Sequence, residues 1–192
     1  MKQAKVMTEQ EVKRVLAVIA SQTHHAPRNR LTFMLSYLSG MRACEIAALT
    51  WGDVMDTNGQ PKSEIRLTAA KTKGSKARMV VVSERLQKEI ARYAGDQSVD
   101  MIISSKPLLP SQKQNKHFSA NTLVQLLGQI YREAGIDGAS SHSGRRTFIT
   151  TLAAKGVGAR VLQHLAGHSS LQTTQRYIDV NDSMLHEAVR LL

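Results

Sequence analysis

The apolar periodicity of this chain changes once and then changes back. Up to Leu49 the apolar residues recur at helical spacing, and from Glu84 onward they do so again. Between these stretches lie three short runs, residues 51–54, 64–68 and 78–82, that read as strands. Asn58-Gly59 and Gly74-Ser75 supply the turns between them. The expectation is a mainly α-helical fold carrying a small three-stranded antiparallel sheet (α+β) in one domain over residues 1–192.

The helical parts carry their own start and stop signals. Thr8 followed three residues later by Glu11 is a capping-box pattern, and Val12, Val15, Leu16 and Ile19 follow on one face. That predicts a first helix over 8–20. A strongly apolar helix then runs up to Gly40, and a third follows in which Arg42, Glu45, Ile46 and Leu49 share a face. After the strands, helices are expected over 84–94, 121–134, 145–155, 159–165 and 170–177, with Gly135, Gly156 and Gly167 as stops. Residues 104–119, containing Pro107 and Pro110, read as a loop. The chain closes with an amphipathic helix over 181–192.

Charge narrows the class of partner. Lys and Arg number 26 against 15 Asp and Glu, a formal charge of +11 and a pI near 10.1. A polyanion is implied, most economically nucleic acid. Cys44 is the only cysteine, so no internal disulfide can form. The N-terminal MKQAKVMTEQ has no apolar signal core, and no segment approaches a membrane span. The expectation is a cytoplasmic protein, bacterial or phage-encoded, with no membrane partner.

Several chemistries lack their motifs. There is no phosphate-binding loop of the ATP type, no His-Glu-x-x-His and no cysteine pair for zinc. His164 and His168 have metal-ligand spacing, but Gly167 should end their helix before His168, and no third ligand lies nearby. No cofactor and no metal are expected.

What remains is a set of cations and one tyrosine. Arg42 lies in the nearly apolar GMRACEIAAL, where Glu45 can hold one side of its guanidinium while the fork still addresses a phosphate. His142 and Arg145 stand at the polar start of an apolar helix, a natural anion site. A phosphodiester under attack gains negative charge, which two fixed Arg forks suit without a metal. A Lys on the basic turn KTKGSKAR can supply the leaving oxygen's proton. Tyr177 is the one nucleophile set in polar, basic surroundings with a His nearby. Tyr37, Tyr93 and Tyr131 fall in amphipathic or apolar helices and read as structural.

In this order the segments resemble the tyrosine recombinases, the phage integrase family. GMRACE is similar to their G-x-R-x-x-E box, HSGRRTF to H-x-L-R-H-T-F, and LAGHSSLQTTQRY to L-G-H-S-S-x-x-T-T-x-x-Y. The resemblance implies the catalytic-domain fold of that family and a set of catalytic residues: Arg42, Lys73, His142, Arg145, His168 and Tyr177. Arg42 and Arg145 would clamp the scissile phosphate, His168 would hydrogen-bond it, and His142 would assist proton movement at Tyr177. Tyr177 would attack, leaving a 3′-phosphotyrosine and a free 5′ hydroxyl. The Lys is taken as Lys73, five before Arg78, with Lys71 as second choice.

Two departures stand in the second box: Gly144 replaces the usual Leu and is expected to loosen the helix start, and Arg146 replaces the usual His. Arg42 comes too early to leave room for the N-terminal clamp domain of the family. The expectation is either an excised catalytic domain or a naturally short member. Partners implied are double-stranded DNA carrying a recombination site and further copies of the chain, up to a tetramer through the C-terminal helix. The competing readings are relaxation of the type IB topoisomerase kind and a non-catalytic DNA binder on a degenerate recombinase fold.

Overall fold

Thr8 opens the first helix as its spacing predicts. In the computed structural model, which describes residues 3–72, 77–97, 102–111, 116–178 and 189–190, α1 runs Glu9–Ser21. Thr8 Oγ1 accepts from the Glu11 amide at 3.2 Å, and Glu11 Oε2 accepts from the Thr8 amide at 2.9 Å. Two amides that no helical carbonyl can reach are thereby satisfied.

α2 (Ala26–Ser39) is the centre of the packing. From Leu31 to Ser36 every residue is buried, so this helix has no solvent face over that stretch. It packs against α1, α5 (Glu84–Gly95) and α7 (Ser143–Ala154). Gly40 closes it with φ +63°, a conformation that favours glycine. A Cβ there would also stand 2.6 Å from the Phe148 ring.

The sheet is smaller than expected. Among the described residues it has two antiparallel strands, β1 (Glu64–Leu67) and β2 (Arg78–Val81), with Ile65 opposite Val80. Residues 51–54, expected as a strand, form a single helical turn, α4 (Trp51–Val54). The reason is local: Asp53 Oδ2 accepts from the Thr50 amide and hydroxyl at 2.7 and 2.8 Å, which caps a helix start. Trp51 is then buried and stacks on Tyr93 with ring centroids 5.6 Å apart.

The remaining helices are α3 (Ala43–Ala47), α6 (Ala120–Glu133), α8 (Ala159–Ala166) and α9 (Leu171–Gln175). The 104–111 part of the expected loop is anchored by buried Leu108 and Leu109 and by a bridge between Thr50 and Pro107. The C-terminal helix expected over 181–192 lies outside the described residues apart from 189–190. No helix among the described residues is long and apolar enough to cross a membrane.

Gly144 does the opposite of loosening. A Cβ at this position would stand 2.6 Å from Ser36 Oγ and 3.3 Å from the Ser36 carbonyl carbon. Glycine is what lets α7 lie this close to α2. Gly144→Ala is therefore expected to cost about 1–3 kcal/mol of stability through overpacking, read as a lower urea midpoint with unchanged slope.

Candidate active site

The end of α8 gathers three guanidinium groups. Its last carbonyls point out of the helix without intrahelical donors and carry the negative end of the dipole. Arg78 donates to the Leu165 carbonyl at 3.1 Å, Arg145 to Ala166 at 2.7 Å and Arg42 to Gly167 at 3.1 Å. Gly167 ends the helix with φ +60°, as its position predicts, and a Cβ there would lie 2.5 Å from Arg78 Cδ. Glycine is thus required twice over, for the turn and for the approach of Arg78.

Each Arg is also held from a second element. Arg145 is 4% exposed and donates to the Gly40 carbonyl at 2.6 Å, so the end of α2 and the end of α8 fix its fork together. Arg42 precedes α3 and donates to Glu45 Oε1 at 2.9 Å. Arg78, at the start of β2, grips the same carboxylate with two parallel bonds of 3.0 and 2.7 Å. Glu45 is fully buried, at 0% exposure.

The electrostatics follow from this crowding. Burial pushes the Glu45 carboxyl up, but the hydrogen bonds and charges of Arg78 and Arg42 outweigh it, and the net shift is downward. Burial, then the charges of Arg42 and Arg78, pull the Arg145 guanidinium down to about 9, so it stays a cation at neutral pH. Among the described residues, three guanidinium groups gather around one carboxylate, which Arg42 and Arg78 grip directly. The surplus is positive, and burial leaves it short of water to screen it. Such a surplus suits an incoming anion.

His168 follows directly on Gly167 and is 9% exposed. Its Nδ1 is hydrogen-bonded to the buried Thr174 Oγ1 at 3.0 Å, and the Thr174 carbonyl accepts from the Tyr177 amide at 3.0 Å. Thr174 of α9 thereby sets the spacing between His168 and Tyr177, whose rings stack with centroids 5.6 Å apart and planes 23° off parallel. Burial, then the charges of Arg145, Arg42 and Arg78, hold the His168 imidazole down at about 4. It is neutral at pH 7.

A pH effect on stability follows. The unfolded chain takes up the His168 proton near the ordinary 6.5, whereas the folded protein resists it until about 4. Stability is therefore lost as pH falls from about 6.5 towards 4, by on the order of 1–3 kcal/mol. His168→Gln is expected to flatten that limb of a stability–pH curve measured by urea unfolding.

Tyr177 is half-buried, just past the end of α9. Tyr93 and Tyr131 sit in the core, where burial pushes the first phenol up to about 12 and the second up as well. Tyr37 is half-buried and packs on Phe33 at 5.6 Å. Beyond His168, the Tyr177 ring is covered by the Arg146 guanidinium, its carbon 5.6 Å from the ring centroid. A cavity of about 390 Å³ opens beside it, lined by His142, Arg146, Arg176 and Tyr177 among others. His142 itself is exposed, at the cap position of α7.

The structure thus brings Arg42, Arg145, His168 and Tyr177 into one neighbourhood and sets His142 on the cavity beside Tyr177. Lys73 lies outside the described residues. Lys71 is paired with Asp53 at 2.5 Å. Among the described residues no group of three His, Cys, Asp or Glu is arranged to hold a metal ion. Arg78 entered the sequence reading only as a landmark for counting. Alternation could have found it, since Arg78 shares a strand face with the buried Val80 and Val82.

The chain is similar to known proteins. The model of the phage integrase family matches residues 5–184. Tyrosine recombinase XerA of Pyrococcus furiosus is 33% identical over 186 residues, covering 96% of this chain and 60% of that protein. Tyrosine recombinase XerD of Neisseria meningitidis serogroup A is 30% identical over 187 residues, covering 96% and 62%. The chain therefore spans about 60% of the length of these curated relatives. A crystal structure of XerA recombinase superposes with a TM-score of 0.74 at 26% identity, over 98% of this chain and 66% of that one. XerH recombinase in a post-cleavage complex with its difH substrate shares the fold, with a TM-score of 0.72 at 23% identity, over 96% of this chain and 51% of that one.

Proposed function

Because the chain belongs to the phage integrase family, we propose that it is a site-specific DNA recombinase in which Tyr177 breaks and rejoins one DNA strand at a time. The observation that carries this reading is the surplus of positive charge at the end of α8, next to a half-buried tyrosine. A phosphodiester is the anion that suits both.

The chemistry balances without a cofactor. The Tyr177 oxygen attacks phosphorus, a 3′-phosphotyrosyl bond forms, and the bond to the 5′ oxygen breaks. The phenol proton passes towards His142, and the departing 5′ oxygen takes a proton from Lys73. In the return step a 5′ hydroxyl attacks the phosphotyrosine and restores the phenol. One phosphodiester replaces another, so neither ATP nor a metal ion is needed.

Arg42 and Arg145 spend part of their forks on Glu45, Gly40, Ala166 and Gly167. The N–H groups left over, already oriented, meet the non-bridging oxygens as negative charge develops. In the tautomer in which Thr174 donates to Nδ1, neutral His168 keeps its hydrogen on Nε2 and adds a third donor. Glu45 and Arg78 touch no substrate; they hold Arg42 and the end of α8 in register. We read residues 1–192 as one catalytic domain working in the cytoplasm on double-stranded DNA, with further copies assembling on the site.

The test uses two labelled duplex pools randomised around a nick, in EDTA and without nucleoside triphosphates. The expected result is exchange of strands between the pools. Relaxation of a supercoiled plasmid without any exchange would favour topoisomerase-like action instead. Tight binding with neither reaction would favour a DNA binder that has lost its chemistry.

A further inference from the structure

Arg146 departs from the family box, and the recombinase chemistry above does not use it. It follows Arg145 on α7, so its side chain leaves the helix about 100° further round. Arg145 goes into the core, and Arg146 goes to the Tyr177 ring. Its Nε is buried and, among the described residues, has no hydrogen-bond partner. A buried donor left unmade is costly, so an acceptor is expected to arrive from outside the chain.

The surroundings say what kind. The cavity beside Tyr177 is lined by Ser140, His142, Arg146, Thr173 and Arg176, with no carboxylate among the described residues of its walls. A planar guanidinium can lay its face on an aromatic ring while its edge donates to a phosphate, which a Lys ammonium cannot do.

We propose that Arg146 is a positioning residue: its edge binds a DNA backbone phosphate beside the scissile one while its face holds the Tyr177 ring in line for attack. The proposal rests on the recombinase reading, and the phosphate contact can be judged apart from it. It ties the nucleophile to the DNA backbone, so that the ring is aligned only when DNA is seated.

The test compares wild type, Arg146→Gln and Arg146→Lys in two measurements. The first is affinity for a short random-sequence duplex as a function of salt. Losing one phosphate contact in Arg146→Gln should reduce the log–log slope by about 0.9, and Arg146→Lys should restore it. The second is the rate of covalent capture on saturating nicked duplex, which should fall about tenfold in both variants, because neither can stack and donate together. An unchanged slope in Arg146→Gln overturns the phosphate contact. A wild-type capture rate in Arg146→Lys overturns the ring's role, since charge alone would then suffice. If wild type forms no adduct, the recombinase reading fails and the ring's role falls with it, while the slope still decides the phosphate contact.

Discussion

Tyr177→Phe is expected to abolish covalent attachment to DNA, by a factor of about 10³ or more, while leaving the fold and DNA affinity nearly unchanged. The substitution removes one oxygen. The ring keeps its stack on His168 and its contact with Arg146, both of which depend on the ring face. The phenol oxygen has no hydrogen-bond partner among the described residues, so nothing buried is orphaned by its loss. A nucleophile that forms a covalent bond has no substitute from binding energy alone. Gel-shift affinity and urea midpoint should match wild type, and the SDS-resistant protein–DNA band should disappear. A band of normal intensity in Tyr177→Phe would place the chemistry elsewhere.

The second large effect falls on stability. Glu45→Gln keeps the shape of the side chain and removes the single carboxylate shared by Arg42 and Arg78. Two guanidinium groups are then left facing each other and Arg145 without that counter-charge. Breaking a buried pair in this way costs about 3–5 kcal/mol. Displacement of Arg42 should also slow capture on DNA by about a hundredfold. The sign with pH is fixed by the downward shift of Glu45. Its contribution is present above the ordinary carboxyl range and is lost as pH falls through the lowered folded value. Urea unfolding of wild type and variant should therefore converge at low pH. Equal stability at pH 7 would mean that the three guanidinium groups do not need the carboxylate.

What could be read from the sequence was local or followed a spacing. The capping box at Thr8, and the stops at Gly40, Gly135, Gly156 and Gly167, all with positive φ, depend on neighbours within one turn. The boxes around Arg42, Arg145 and Tyr177 were visible because each role falls at a fixed spacing within its box. Residues 51–54 were misread because four residues are too few to show a period, and the Thr50–Asp53 cap decided the matter. The grip of Arg78 on Glu45 joins a strand to a helix across the fold and leaves no local trace. Gly144 was judged by its helix propensity, but its role is set by Ser36 on another helix. The contact of Arg146 with Tyr177 was hidden for the same reason: its partner comes from another element, beyond α9.

The central claim is that Tyr177 itself carries the DNA. The most direct measurement is to trap the complex on a nicked duplex pool in EDTA, digest DNA and protein, and identify by mass spectrometry the peptide that retains a nucleotide. The account predicts a single modified peptide, with the nucleotide joined through its 3′ phosphate to the Tyr177 oxygen. A nucleotide on another residue, or strand cleavage that leaves no nucleotide on the protein, would contradict it.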